Sequence, residues 1–140
     1  MKPLFVYGIL QFPEILVALL GHTVRMETAT LPGYERCRKS SRNGVMRGPG
    51  ILASLDATVS GFLLLDLSVE DRTVIDLLEG KYDRTPIVVK QNGDTISAEV
   101  YFPGDTSDYI REPWEPEEFK KTGLDYYVTV RIPEILRSKS

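Results

Sequence analysis

The segment PIVVKQNGDTISAEVYF, residues 86–102, places two β-rich runs on either side of Asn92-Gly93. Both central residues of a type I′ turn need a positive φ angle, which Asn and Gly adopt more readily than other residues. The flanking runs are rich in β-branched and aromatic side chains, as strands are. The segment therefore predicts a β-hairpin with strands over Pro86–Gln91 and Thr95–Phe102.

Further strands are predicted before the hairpin, where apolar residues alternate or run continuously over 4–7, 26–31, 34–39 and 60–66. Pro32-Gly33 predicts a turn between the second and third of these strands. Residues 40–50 and 103–111 contain many turn-forming residues and predict loops.

Three segments predict helices. The first covers residues 13–20, with Pro in its first turn and Gly21 just past its end. The second begins after Ser68, which has an acidic residue three positions later as in a capping box, and ends at Glu79. A third begins within 114–119, where Pro and acidic residues occupy the first turn.

The predicted elements show no regular βαβ alternation, which favours an α+β fold. We expect a mixed, mostly antiparallel, curled β-barrel with two or three flanking helices. A chain of 140 residues has the usual size of one domain, so a single domain over 1–140 is expected, with 132–140 as a loosely ordered tail.

Composition excludes several classes of function. Hydrophobic residues make up 42% and charged residues 26% of the chain, which is ordinary globular usage. The formal net charge of −3 provides no overall field for nucleic acid or anionic membrane, so we expect neither as a partner. The apolar runs are too short to span a bilayer, and no secretory signal is predicted. We therefore expect a cytoplasmic protein with a small-molecule partner; the oligomeric state is not indicated.

The sequence also argues against a metal centre. Cys37 and His22 are the only cysteine and histidine, too few for a zinc site of the usual type. The acidic residues between 66 and 76 are interpreted more simply as capping and solvent-facing residues of a helix; they are Asp66, Glu70, Asp71 and Asp76. No metal and no cofactor are expected.

Glu79 is the first candidate for chemistry. It follows Leu77-Leu78 and precedes Gly80, which puts a carboxylate at the predicted end of a helix. Unpaired carbonyl groups make a helix C-terminus negative, so an anion is disfavoured there, and burial against the leucines would add desolvation. Both effects favour the protonated acid, which suits a group that transfers protons near neutral pH.

Tyr7-Gly8-Ile9-Leu10 is the second candidate. A strand that ends in glycine and turns at once toward a helix exposes successive backbone N–H groups, which can bind a carboxylate or a developing oxyanion.

Several motifs in this order resemble the gamma-glutamylcyclotransferase superfamily. They are Phe-Val-Tyr-Gly-x-Leu over 5–10, Pro-Gly-Tyr over 32–34, Leu-Leu-Glu-Gly-x-Tyr-x-Arg over 77–84 and Trp-x-x-Glu-Glu-Phe over 114–119. The branch that the chain resembles contains the avirulence-induced-like plant proteins and gamma-glutamylamine cyclotransferase.

The resemblance implies a fold, a reaction and a site. The fold would be a mixed barrel with flanking helices. In the reaction, the α-amine of a gamma-glutamyl compound attacks its own γ-carbonyl, which gives 5-oxoproline and releases an amine without a cofactor. The resemblance makes Glu79 the general acid and base, and it assigns substrate binding to the loop after the first strand: Tyr7, Gly8, Ile9, Leu10, Gln11 and Phe12.

Two features depart from the family pattern. Ile9 stands where members usually carry Ser or Thr, and the spacing between Gly80 and Tyr82 is one residue shorter than in the nearest branch. Tyr82, Arg84 and Tyr101 are further possible pocket residues, although an arginine at the head of a strand also suits a surface ion pair and a strand tyrosine also suits a core.

Three alternatives remain open. Cys37, flanked by arginines, could be a nucleophile with His22 as its base. A basic cluster could bind phosphate or RNA with Tyr34 stacking, or form the rim of the pocket; it comprises Arg36, Arg38, Lys39, Arg42 and Arg47. The chain could also be a catalytically inactive binding or interaction protein with the same fold.

Overall fold

The computed structural model describes residues 2–41, 44–80 and 82–139, leaving the side chains at 82, 103 and 139 undescribed. Within these ranges the strands are β1 Leu4–Val6, β2 Arg25–Lys39, β3 Gly50–Leu65, β4 Tyr82–Gln91, β5 Asp94–Pro103 and β6 Tyr109–Pro113. The helices are α1 Pro13–Leu20, α2 Val69–Glu79, α3 Pro116–Thr122, α4 Leu124–Tyr126 and α5 Ile132–Lys139. A 3₁₀ turn covers Ile9–Gln11, and a π-helical segment covers Tyr127–Arg131.

The sheet closes into a barrel. Its order is β3-β1-β5-β4-β2-β6, and an additional pairing of β2 with β3 joins the first five of these strands into a ring. β1 and β5 run parallel, and the other neighbouring pairs are antiparallel. The predicted mixed, mostly antiparallel barrel with flanking helices is confirmed.

The predicted hairpin is confirmed as β4 and β5. The strands pair continuously from Tyr82 opposite Pro103 to Gln91 opposite Asp94. Asn92 and Gly93 connect them with φ angles of 51° and 83°, as a type I′ turn requires.

The second and third strands differ from the prediction. Pro32-Gly33 does not separate two strands; it lies within β2, where the register with β3 shifts between Pro32 and Tyr34. Gly33 has a φ of 87°, so this glycine allows a bulge that bends one long strand. β3 begins at Gly50, ten residues before the predicted strand, because β2 pairs with residues 50–53 as well as with residues 58–65.

The first two predicted helices are confirmed. In α2 the Ser68 hydroxyl accepts from Asp71 N, and the Asp71 carboxylate accepts from Ser68 N, which completes the capping box. In α1, Pro13 occupies the first turn and Gly21 ends the helix with a φ of 81°.

The C-terminal prediction is corrected. Residues 132–139 form α5 rather than a loose tail, because Ile132 and Ile135 are buried and the helix packs against α1 and α2. Residues 109–113, within and beyond the predicted loop, form β6 beside β2.

The apolar residues form two clusters on either side of β1. The barrel cluster includes Phe5, Tyr7 and Val100, and the helix-side cluster includes Leu4 and Val6 with residues of the helices. Successive side chains of a strand point to opposite faces, so β1 is buried on both. β1 therefore separates the two clusters, and the turn that begins at Tyr7-Gly8 follows directly after it.

Candidate active site

A cavity of about 360 Å³ opens where β1 ends, and we call it the Glu79 cavity. Its walls are the end of β1 with the following turn, the C-terminal end of α2, and segments from the loop before β3 and from the C-terminal helices. The lining residues are 5–10, 47–49 and 77–80, with Lys39, Tyr101, Tyr127 and Arg131. The two sequence candidates, Glu79 and the turn after β1, thus line the same cavity.

Glu79 lies at the end of α2 and is half-buried. Burial is the main cause that raises its pKa from 4.5 to about 7; Lys39 opposes the rise, and Asp76 adds to it. The sequence predicts a rise in this pKa, and the largest cause of the rise is desolvation of the buried carboxyl group. A carboxyl group with this pKa exists in both protonation states near neutral pH and can accept and return a proton.

The turn after β1 forms another part of the cavity lining, through residues 8–10. Gln11 N donates to Gly8 O at 3.1 Å, which closes the 3₁₀ turn and keeps residues 8–10 against the cavity. A Cβ atom on Gly8 would lie 2.6 Å from Pro49 Cδ, so only glycine fits this close approach. The side chain of Tyr7 is held in place, because its buried hydroxyl donates to Tyr101 O at 2.9 Å.

Tyr101 joins the cavity to a network of charged side chains. Its hydroxyl donates to Asp76 Oδ1, and burial together with Asp76 raises its pKa far above the usual value. Arg84 Nη1 lies 3.7 Å from Asp76 Oδ1 and Arg84 Nε lies 3.8 Å from Glu99 Oε2. Tyr101 therefore contacts the cavity as a neutral, fixed side chain.

Among the described residues, three cations line the Glu79 cavity. Lys39 comes from β2, Arg47 from the loop before β3 and Arg131 from the π-helical segment. Arg47 forms an ion pair with Asp108. Lys39 and Arg47 belong to the basic cluster that could form a pocket rim, whereas Arg131 and Tyr127 were not predicted from the sequence. The spacing of four residues between Tyr127 and Arg131, which suits one face of a helix, is the signal that could have found them.

Four predicted site residues lie elsewhere or outside the described chain. Gln11 turns away from the Glu79 cavity and Phe12 is buried in the helix-side cluster against Phe119. Arg84 does not line the cavity and is held in its ion pairs. The backbone of Tyr82 opens β4, and its side chain lies outside the described part.

The structure gives little support to the cysteine alternative. Cys37 is buried, and burial raises the pKa of its thiol, so the reactive thiolate is disfavoured. His22 instead lies with Nε2 2.9 Å from Asp71 Oδ1. Among the described residues, no group of three or more His, Cys, Asp or Glu side chains is arranged to hold a metal ion.

The basic cluster is not one continuous surface. Arg38 Nη1 lies 3.4 Å from Glu118 Oε1, and the Arg36 guanidinium lies 5.3 Å from the centre of the Trp114 ring. Lys39 and Arg47 face the Glu79 cavity, which agrees with the pocket-rim alternative. Arg42 lies outside the described residues. In the same described part, no helix has the length and apolar character needed to cross a membrane.

Comparison with known proteins gives consistent matches. AIG2-like protein B of Arabidopsis thaliana is 29% identical over 140 aligned residues, which cover 97% of this chain and 78% of that protein. The solution structure of an Arabidopsis thaliana protein is 28% identical, with a TM-score of 0.70 and coverage of 86% of this chain and 80% of that protein. A structure titled gamma-glutamyl cyclotransferase shares the fold, with a TM-score of 0.66 at 17% identity, over 94% of this chain and 86% of the other.

The family model described as "Gamma-glutamyl cyclotransferase, AIG2-like" matches residues 4–121, a range that contains β1, the turn after it and α2. The match spans most of the chain. The chain therefore belongs to the gamma-glutamyl cyclotransferase, AIG2-like family.

Proposed function

We propose that the chain is a cofactor-free gamma-glutamyl cyclotransferase with Glu79 as its general acid and base. The observation that carries this proposal is that a carboxyl group with a pKa of about 7 lines the same cavity as the turn after β1. A group that titrates near neutral pH is suited to both accepting and returning a proton. The substrate would be a small gamma-glutamyl compound.

The reaction is an internal transfer in which atoms and protons balance. The α-nitrogen of the substrate forms a bond to its γ-carbonyl carbon, and the bond from that carbon to the departing nitrogen breaks. Two protons leave the α-ammonium as it becomes a ring amide, and two arrive at the nitrogen that departs as an ammonium group. Glu79 carries these protons between the two nitrogens, while N–H groups of the turn hold negative charge on the substrate.

Both reacting groups belong to one molecule, so the protein contributes mainly by holding the substrate in a folded conformation. Residues 5–10 and 77–80 both line the cavity of about 360 Å³ that would confine the substrate. Tyr101 and Tyr127 supply further surface for that contact.

The test is release of 5-oxoproline by the purified chain from gamma-glutamyl amino acids, glutathione and gamma-glutamyl-lysine. Glu79→Gln should lower the rate by about 100-fold or more, in the range that acid and base catalysis contributes. Glu70→Gln is the matched control, because Glu70 is an exposed residue in the first turn of the same helix. Release that persists in Glu79→Gln would remove Glu79 from the mechanism.

A catalytically inactive binding protein is the second candidate. Ile9 favours it, because an aliphatic side chain lines the cavity where family members usually have a hydroxyl group. Under this alternative the chain binds gamma-glutamyl compounds but releases no 5-oxoproline from any member of the panel. Calorimetric binding measured beside the release assay distinguishes the two functions.

A further inference from the structure

Arg36 contacts the turn after β1 from outside the Glu79 cavity. Its Nη1 donates to Tyr7 O at 2.9 Å and, over a longer distance, to Ser60 O at 3.4 Å. Its guanidinium also lies over the ring of Trp114, which is 1% exposed, at 5.3 Å from the ring centre. These contacts fix a half-buried cation against the main chain of the turn.

Gln11 supports the same carbonyl group. Its Nε2 donates to Tyr7 O at 3.3 Å, so this oxygen accepts hydrogen bonds from two side chains. Arg36 and Gln11 both line a separate groove, which has no lining residue in common with the Glu79 cavity. The Tyr7 carbonyl is therefore held on the side of the turn that faces this Arg36 groove.

The N–H group of Gly8 belongs to the same peptide unit as the Tyr7 carbonyl. The chain has no cis peptide bond among its described residues, and the C=O and N–H groups of a trans peptide point in opposite directions. A carbonyl held toward the Arg36 groove consequently directs Gly8 N–H the other way, and Gly8 lines the Glu79 cavity. A reversed peptide would instead present an oxygen atom to the anionic part of a substrate.

Because Gly8 has no side chain, the Tyr7–Gly8 peptide could rotate unless other groups hold it. A glycine accepts φ and ψ values that other residues avoid, so rotation of the preceding peptide unit meets little steric resistance. The hydrogen bonds from Arg36 and Gln11 supply that resistance from outside the cavity.

We infer that Arg36, assisted by Gln11, is a positioning residue that holds the Tyr7–Gly8 peptide with Gly8 N–H directed into the Glu79 cavity. The inference rests on the proposed function for its effect on catalysis, but the peptide orientation itself is independent of turnover. In the proposed reaction, Gly8 N–H then binds the substrate carboxylate or the oxyanion.

The direct test is nuclear magnetic resonance of Arg36→Lys, Arg36→Ala and Gln11→Ala, with no ligand added. The Tyr7 carbonyl ¹³C and Gly8 amide signals should move strongly in the Arg36 variants and less in Gln11→Ala, whose hydrogen bond is longer. Arg25→Ala is the control, because Arg25 is an exposed arginine of the same strand, paired with Glu27. Unchanged Tyr7 and Gly8 signals in a folded Arg36 variant would overturn the inference.

Kinetics supplies a second readout. Arg36→Ala should lower kcat by about 10- to 100-fold, the loss associated with misplaced reacting groups, and Arg36→Lys should recover part of it. The pH at which kcat/KM is half-maximal should stay as in the wild type, since Arg36 acts through the peptide and not on Glu79. A shifted pH profile with an unchanged kcat would count against positioning.

Failure of this inference can be told apart from failure of the proposed function. A wild type that releases no 5-oxoproline refutes the proposed function, whereas the peptide orientation is still decided by the Tyr7 and Gly8 signals. If Arg36→Ala does not fold, Arg36→Lys and Gln11→Ala carry the test.

Discussion

Replacing Glu79 with glutamine is expected to stabilise the folded chain at alkaline pH as well as to remove the proposed catalytic group. Burial, with a smaller contribution from Asp76 and opposition from Lys39, raises the pKa of Glu79 from 4.5 to about 7. In the unfolded chain the side chain is solvated and keeps its ordinary pKa. Ionisation of Glu79 therefore costs folding free energy that a neutral amide does not.

The size of the effect follows from the difference between the two pKa values, which is about 2.5. At about 1.4 kcal/mol for each pH unit, the wild type loses about 3 kcal/mol of stability through this group. Below pH 4.5 the carboxyl group is protonated in both states and the cost is absent. As the pH rises from 4.5 through 7, the unfolded chain ionises first, so wild-type stability falls; above this window the loss is constant.

The assay is urea unfolding at about pH 4 and about pH 8, which lie on either side of this window. Glu79→Gln should be about 3 kcal/mol more stable than the wild type near pH 8 and nearly equal to it near pH 4. Glu70→Gln, at an exposed position of the same helix, should follow the wild type at both pH values. A difference between Glu79→Gln and wild type that does not change with pH would refute the assignment of a raised pKa.

Three further outcomes are expected. In the proposed reaction, kcat/KM measured over a series of pH values should rise through about pH 7, because Glu79 acts as a base only when ionised and its pKa is about 7. A flat profile would contradict its role as base. Gly8→Ala should lower turnover at least about 100-fold, because its Cβ meets a proline at 2.6 Å, whereas Gly93→Ala, which has a φ of 83° and open space around it, should cost about 1 kcal/mol in thermal unfolding and leave turnover unchanged. Ser68→Ala should cost about 1 kcal/mol of unfolding free energy through loss of the helix cap, and Ser97→Ala, at an exposed strand position, should cost less; equal losses would argue against the cap.

Features set by local chemistry could be predicted from the sequence. The hairpin at Asn92-Gly93 needs only the φ preferences of two residues, and the cap at Ser68 needs only an acidic side chain three positions later. The meeting of Glu79 with the turn after β1 could be anticipated only through the resemblance, because no local pattern relates segments so far apart.

The features that the sequence analysis missed depend on partners distant in the chain. The bulge at Pro32-Gly33 looks like a turn locally and becomes part of a strand because β3 pairs on both sides of it. Arg131 reaches the cavity because its π-helical segment packs on α1 and the following α5 packs on α1 and α2. The apolar residues of α5 recur at helical spacing in the sequence, and this periodicity could have predicted the helix in place of a loosely ordered tail.

The same packing that makes the fold also fixes the distance across the candidate site. Leu10 of the turn, Val6 of β1 and Ile75 of α2 belong to the helix-side cluster, and all three are almost fully buried. Close-packed cores leave little freedom for one element to slide along another. The turn cannot move away from α2 without opening this cluster, and Glu79 stands one helical turn beyond Ile75. The stability of the helix-side cluster therefore compensates for the unfavourable ionisation of Glu79, which allows a half-buried carboxylate to remain beside the turn after β1.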